Sequence, residues 1–276
     1  MKRLRFLFLA PARGFQFLLF LGPLAIILAY SIMTRGAYGG QGLPWTAGNW
    51  ARLADPLYAR IMARSLWIAG ISTLLSLLLA FPLALFITRA GRRKTLYLNL
   101  VMLPFWTSFL VRTYAWMFLL RDTGLVNTLL QALGITKAPL PLLYNDGAVV
   151  LGLVYGYLPF MVLPIFAALE RLDHSLLEAS ADLGGRPLVT LWKVTVPLSM
   201  PGIVAGVVLV FIPCLGAYLT PDLLGGGKSV MIGNLIQNQF STARDWPFGS
   251  AVALALMALV MMMLVVFLRR KEMTLL

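Results

Sequence analysis

Apolar residues fall into six long runs, 15–33, 65–88, 96–120, 148–169, 200–220 and 248–268, separated by segments that hold nearly all of the charge. About 20 mostly apolar residues carry a helix across the hydrocarbon of a bilayer, and each run is long enough. The pattern predicts an all-α integral membrane protein with six transmembrane helices and no attached soluble domain. Two connections carry signals of their own. Apolar residues at helical spacing in 123–133 predict a short helix at the membrane surface. Segment 170–199, at about 30 residues, is long for a link between spans and reads as helix, turn, helix. The stretch GAYGGQGLPWTAGNW at 36–50 is rich in glycine and aromatics and predicts irregular structure.

Composition agrees with that reading. Hydrophobic residues make up 60% of the 276 positions and charged residues 12%, against about 45–50% and about 25% in soluble domains. The net charge of +13 lies in the connections, where it faces lipid headgroups and cytoplasm, so no nucleic-acid partner is expected. Lys and Arg number 14 in the 58 positions of 1–14, 89–94, 170–199 and 269–276, but only 8 in the 85 positions of 34–64, 121–147 and 221–247. The denser set belongs on the cytoplasmic side. Both chain ends are therefore expected inside, as basic tails 1–14 and 269–276 flanking a six-span domain over 15–268. The apolar stretch 6–10 is shorter than the roughly 7–15 residues of a secretory signal core. Cys214 is the only cysteine and His174 the only histidine, which excludes an internal disulfide and leaves too few ligands for a metal cluster. No Ser-His-Asp arrangement is present, and the chain is not expected to be an enzyme.

One motif points the other way. LLGGGKS at 223–229 ends like a phosphate-cradling loop, G-x-x-x-x-G-K-[ST]. Counting back from Gly227, Lys228 and Ser229, the first glycine falls at Asp222. A carboxylate there repels phosphate, and the charge distribution puts this loop outside, away from cytoplasmic ATP. No nucleotide cofactor is expected on this chain.

The inner segment reads ERLDHSLLEASADLGGRPLVTLWKVTVPLS and holds Glu170, Asp173, Glu178 and Asp182, four of the ten acidic residues. Ser175 and Glu178 have the spacing of a capping box, and LLEASADL is a good helix former. Gly184 and Gly185 supply a left-handed helix stop, and Pro187 suits the first turn of a second helix. Small Ala179, Ser180 and Ala181 leave room for another surface to approach. On this evidence Glu178 either caps a surface helix and nothing more, or also meets a partner.

The spacing Glu178-Ala179-Ser180-x3-Gly184-x9-Val194-x-Val196-Pro197 resembles E-A-A-x3-G-x9-I-x-L-P, the pattern of binding-protein-dependent ABC importer permeases. It departs at Ser180 for Ala and at Val194 and Val196 for Ile and Leu. The resemblance implies a coupling loop over 170–199 that docks into a groove on a separate ATPase, with Glu178, Ala179, Ser180, Asp182, Gly184 and Pro197 as its residues. ATP and magnesium then sit on the partner. The outer segment PDLLGGGKSVMIGNLIQNQFSTARDWPFGSA is similar to spermidine/putrescine-type permease subunits, through Asp222-Leu223-Leu224-Gly225-Gly226, Ile232-Gly233-Asn234, Gln239-Phe240 and Asp245-Trp246-Pro247-Phe248-Gly249. The two likenesses together, covering about a quarter of the chain from roughly Leu172 to Gly249, imply a multi-pass subunit of the bacterial inner membrane. Its partners would be a second, similar permease subunit, an ATPase dimer and an extracytoplasmic substrate-binding protein. The cargo implied is a polyamine; related permeases carry opines, phosphonates, thiamine or iron. An autonomous secondary transporter is the rival from another class. The absence of intramembrane carboxylates for ion coupling speaks against it.

A polyamine is bound by carboxylates and aromatic faces, yet the six runs contain no Asp or Glu. A low-affinity passage is expected instead, with Trp106, Tyr114, Trp116, Tyr155, Tyr157 and Tyr218 as candidate lining. Each of these equally suits an interface belt or helix packing. Asp222 and Asp245, at the outer mouth, either attract a cation, cap a helix, or pair with Lys228 or Arg244. Arg112 is the one charge inside a run, and such charges are functional by default. Its long stem is expected to reach the outer headgroups, because a substrate contact would repel a polyamine. In an anion importer it would be a prime contact. Gly202 and Gly206 form a small-xxx-small pair that permits close helix contact.

Overall fold

The computed structural model describes residues 2–273, with side chains for 14–173 and 175–266. Met1 of the expected inner tail and residues 274–276 of the expected C-terminal tail lie outside the described residues. In chain order the elements are α1 (Lys2–Ser31), strands β1 (Met33–Arg35) and β2 (Gln41–Trp45), α2 (Gly48–Leu53), α3 (Pro56–Thr88), α4 (Lys94–Met102), α5 (Phe109–Leu120), α6 (Leu125–Ala132), α7 (Asp146–Glu170), α8 (His174–Asp182), α9 (Pro187–Thr190), α10 (Val196–Leu215), α11 (Ile232–Phe240) and α12 (Trp246–Met273). Among the described residues, five helices are long and apolar enough to cross a membrane: Gly14–Ser31, Pro56–Thr88, Asp146–Glu170, Pro187–Leu215 and Trp246–Val266.

The sixth expected span, 96–120, is broken. α4 ends in a tight 3-10 turn, Leu103–Trp106, and Thr107 is extended at ψ 153 before α5 begins. Pro104 has no N–H to continue the helical ladder. The Thr107 hydroxyl donates to the Pro104 carbonyl at 2.7 Å, giving the backbone a local alternative to helix. Residues 2–14 form the first turns of α1. Two other expectations also change. The glycine-rich stretch after α1 forms an antiparallel hairpin, β1 with β2, bulged between Met33 and Thr34. Segment 221–247 is more than a loop, since it contains a wide helical turn (Pro221–Gly225), a 3-10 turn (Gly226–Lys228) and α11. The amphipathic segment 123–133 does hold a helix, α6.

The chain divides into two compact units. In the first, residues 1–62 with 235–276, α1 and α2 pack against α12. Aromatic contacts tie it together, Tyr30 with Trp246 at 6.2 Å and Tyr58 with the buried Phe248 at 4.9 Å between ring centroids. Asn49 donates to the Ser31 carbonyl at 3.1 Å, an acceptor that the end of α1 leaves open, and to the Met33 carbonyl of β1 at 2.7 Å. The hairpin is held to the α11–α12 connection by Arg35 donating to the Ala243 carbonyl and the Gly40 amide donating to the Arg244 carbonyl, both at 2.7 Å.

The second unit, residues 63–234, is built on α7 against α10. Leu153, Met161, Val162, Ile165 and Val210 are wholly buried. A Cβ on Gly202 would lie 2.4 Å from the Pro164 carbonyl oxygen, and one on Gly206 2.7 Å from the Met161 sulfur. The small pair thus lets the two helices touch through backbone, as packing between apolar helices in lipid requires. In the same unit α3 buries a stripe of mainly small residues, Ser65, Ala69, Ser72, Ser76, Ala80 and Ala84, at helical spacing.

Candidate functional site

The inner segment begins where α7 ends. Asp173 caps α8, its carboxylate accepting from the Ser175 amide at 2.9 Å. The expected cap at Ser175 is therefore displaced, because a carboxylate two residues earlier takes the first free amides of the helix and a charged acceptor is the stronger one. Glu178 then sits two residues beyond the position a capping box requires. Its carboxylate is exposed and makes no hydrogen bond or ion pair among the described residues. The capping alternative for Glu178 does not hold.

α8 stops at Gly184, which has φ +76, with the Gly184 amide donating to the Ala181 carbonyl at 2.9 Å. Gly185 crosses directly under α8, its amide donating to the Ser180 carbonyl at 2.8 Å. α9 starts on Pro187, and the Ser180 and Thr190 hydroxyls share a hydrogen bond of 2.8 Å that clips α8 to α9. A wide π turn, Leu191–Thr195, carries α9 into α10 without a break, and Pro197 falls in the first turn of α10. Pro197 cannot donate to the carbonyl four residues back, which is why the turn opens just before it. Leu183 (89% exposed), Leu188 (71%) and Trp192 (68%) stand out from this corner beside the exposed Glu178 and Asp182.

Of the aromatic candidates, the structure pairs Trp116 with Tyr155, edge to face at 5.4 Å. Tyr157 lies 6.1 Å from Phe109 and 6.2 Å from Phe160, and Phe160 meets Phe105 edge to face at 5.1 Å. Phe105, Phe109 and Phe160 carry no polar handle and are not among the aromatics that the sequence offers for a passage. Their signal is position: Phe105 lies in the break and Phe109 opens α5 just after it. Trp106, Tyr114 and Tyr218 are exposed and join no ring cluster among the described residues.

Arg112 does not reach outward. It is 8% exposed, and its guanidinium lies 5.6 Å from the centroids of both Phe105 and Phe109. Nε and Nη1 have no hydrogen-bond partner among the described residues. The attraction of two ring faces for a cation holds the side chain inward at the helix break.

At the other end of the second unit, Asp222 is exposed and accepts from Asn234 Nδ2 at 2.9 Å. Asp146, at the start of α7, accepts from Arg64 at 2.7 Å and from the Ser229 hydroxyl. α7 runs from that cluster to Glu170, which is ion-paired with Lys94. Asp245, in the first unit, is buried and committed. It pairs with Arg52 at 2.9 Å and accepts from the Phe248 amide at 3.2 Å, capping α12. Arg52 also lies 4.0 Å over the Phe248 ring. The pairing partners expected for the two aspartates, Lys228 and Arg244, are thus not the ones used.

The sequence signature described as "Binding-protein-dependent transport system inner membrane component" matches residues 64–271. The chain is 41% identical over 261 residues to the spermidine/putrescine transport system permease protein PotB of Haemophilus influenzae, covering 94% of this chain and 91% of that one. It is 40% identical over 248 residues to the PotB protein of Escherichia coli, covering 90% of each. Among solved structures, a bacterial ABC transporter involved in import of the acidic polysaccharide alginate superposes with a TM-score of 0.71 at 20% identity, over 98% of this chain and 94% of that one. At that identity the likeness concerns the fold.

Proposed function

Because this chain belongs to the family of binding-protein-dependent transport system inner membrane components, we propose that it is a multi-pass inner-membrane permease subunit of an ATP-binding-cassette importer, translocating spermidine and putrescine. The cargo is supported by the identity to the two permease proteins named for it. Family membership displaces the autonomous transporter. The other importer cargoes, opine, phosphonate, thiamine and iron, have no comparable support.

The observation that carries the mechanism is the inner corner. Glu178 is uncommitted, Leu183, Leu188 and Trp192 are exposed, and the corner runs from α9 into α10 through unbroken helix. It meets the ATPase dimer, with Glu178, Ala179 and Asp182 on the contact face. Ser180 and Gly184 hold the turn, and Pro197 sets the angle at which α9 enters α10. ATP and magnesium belong to the partner, and closure of the ATPase dimer swings the corner and the helices attached to it. A second permease subunit completes the passage, and a soluble binding protein delivers the cargo. Within this chain the passage candidates are Trp106, Tyr114, Trp116, Tyr155, Tyr157 and Tyr218, with Asp222 at the outer mouth. Asp245 serves first as cap and ion-pair partner. The absence of Asp and Glu from the apolar runs favours weak, successive contacts with aromatic faces over a tight site.

The test is uptake of labelled spermidine and putrescine into vesicles carrying the complete transporter, with and without ATPase and binding protein. Uptake that needs both is expected, and Glu178→Ala should lower it with insertion intact. Uptake by this chain alone would refute the reading.

A further inference from the structure

The GGGKS stretch, excluded as a nucleotide loop, lies beside a groove that the transport reading leaves unused. Within the second unit, Arg121, Asp122, Pro141, Leu143, Tyr144 and Lys228 line an open groove of about 500 Å³. Three segments far apart in sequence converge on it and are fixed to one another. The Tyr144 amide donates to the Leu224 carbonyl at 2.8 Å. The Tyr144 ring lies against Gly226, where a Cβ would fall 2.9 Å from Cδ1 and φ is +55. Glycine is what lets the chain turn under the ring and set Lys228 at the rim. Neither Arg121 nor Lys228 has an ion-pair partner among the described residues, and both are exposed. Arg121 lies 5.1 Å over the Phe118 ring, which steadies it without neutralising it. Two cations face one carboxylate, so the groove is net positive.

On the importer reading, this groove lies on the outer side, as the Lys and Arg distribution places 121–147 and 221–247. A polyamine cargo would be repelled by it. We infer that the groove is a docking point for an acidic side chain of the substrate-binding protein, held between Lys228 and Arg121 and flanked by Tyr144. The carboxylate of Asp122 at the same rim disfavours a multiply charged phosphate headgroup, and the apolar Pro141 and Leu143 suit the stem of a Glu or Asp on a protein surface. The groove also touches the start of α7. Ser229, next to Lys228, donates to Asp146, which pairs with Arg64 at 2.7 Å. A docked protein therefore bears on the helix whose other end leads into α8. At 25 residues, α7 spans about 37 Å from groove to corner.

The assignment rests on the importer reading, and the experiment separates the two. The complete transporter is reconstituted in phosphatidylcholine liposomes, and ATPase activity is followed against the concentration of spermidine-loaded spermidine-binding protein. The wild type is compared with the double variants Arg121→Glu/Lys228→Glu and Arg121→Gln/Lys228→Gln. Basal ATPase activity without binding protein should be equal in all three, which reports intact assembly. The half-stimulating concentration of binding protein should rise at least tenfold in the Glu variant and less in the Gln variant. The maximal rate should be retained, and the salt dependence seen in the wild type should flatten. Identical concentration and salt responses in all three would overturn the docking assignment alone. A difference seen only when phosphatidylglycerol is added would overturn it in favour of a lipid headgroup. A wild type that no concentration of binding protein stimulates would overturn the importer reading together with the docking assignment.

Discussion

Gly184 and Gly185 stand side by side in the inner corner and resist substitution for different reasons, which makes them a sharp test of the corner's role. At Gly184 a Cβ meets nothing within 4 Å, and φ is +76. An alanine there pays only for the left-handed backbone, about 1–2 kcal/mol, whereas asparagine enters that region readily. At Gly185 the backbone is ordinary but the space is filled. A Cβ would lie 2.6 Å from the Ser180 carbonyl oxygen, 2.7 Å from Ser180 Oγ and 3.1 Å from Thr190 Oγ1. Alanine must push α8 from α9, an overpacking cost of about 1–3 kcal/mol, and it strains the Ser180–Thr190 hydrogen bond as well. One to two kcal/mol is a factor of about 5–30 in an equilibrium, here the population of the formed corner. The assay is spermidine uptake and ATPase co-purification by the reconstituted complex. Gly184→Asn should be near wild type, Gly184→Ala reduced several-fold, and Gly185→Ala reduced at least as far. Equal loss in Gly184→Asn and Gly184→Ala would refute the conformational argument. A Gly185→Ala variant of full activity would refute the close packing.

Ser180→Ala removes the clip between α8 and α9 and should weaken the corner by about 0.5–1.5 kcal/mol, read as faster amide exchange in 176–190 with no change in the exchange of α7. Asp245→Ala strips α12 of its cap, about 0.5–2 kcal/mol, and leaves Arg52 without its carboxylate. The thermal midpoint in detergent should fall, and Asp245→Asn, which keeps a cap, should recover part of the loss; an unchanged midpoint in Asp245→Ala would contradict both roles. Arg112→Met removes two buried, unpartnered donors, each costing about 1–3 kcal/mol, against cation–π attractions of about 0.5–2 kcal/mol. Its thermal midpoint should be equal to or above wild type, and a clear drop would mean that Arg112 has partners in the membrane.

The long apolar runs were legible because a bilayer reads average hydropathy over a whole segment, and five of the six form helices of spanning length. The break in 96–120 was not. A window that averages Pro104, Thr107 and Ser108 with their apolar neighbours registers no change, while the loss of one N–H and one competing hydroxyl decides the backbone there. The helix stop at Gly184 and the restart at Pro187 were legible for the opposite reason. Their signals are local, a glycine at the stop and a proline at the restart, and the helix start carries acids and a serine. The one displacement, from Ser175 to Asp173 as cap, is a choice between two good caps two residues apart. The ion pairs of Asp245 and Asp146 were illegible because their partners are remote. Arg52 lies 193 residues from Asp245, and Arg64 lies 82 from Asp146, and no spacing rule reaches across either distance.

The corner's position in the fold matters as much as its surface. It is the connection between α7 and α10, the two helices that touch most closely in the second unit. At Gly202 and Gly206 there is no room even for a methyl group between them. Interiors packed to that degree move as bodies and do not deform smoothly. A displacement of the corner therefore shifts α7 and α10 together, with α9 entering α10 through the π turn at Leu191–Thr195. The break at Leu103–Thr107 is different. There the chain has given up its helical ladder between α4 and α5, and α5 carries Phe109 against Tyr157 of α7. Both segments that flank the break are therefore tied to α7, α5 through Phe109 and Tyr157 and α4 through the ion pair of Lys94 with Glu170.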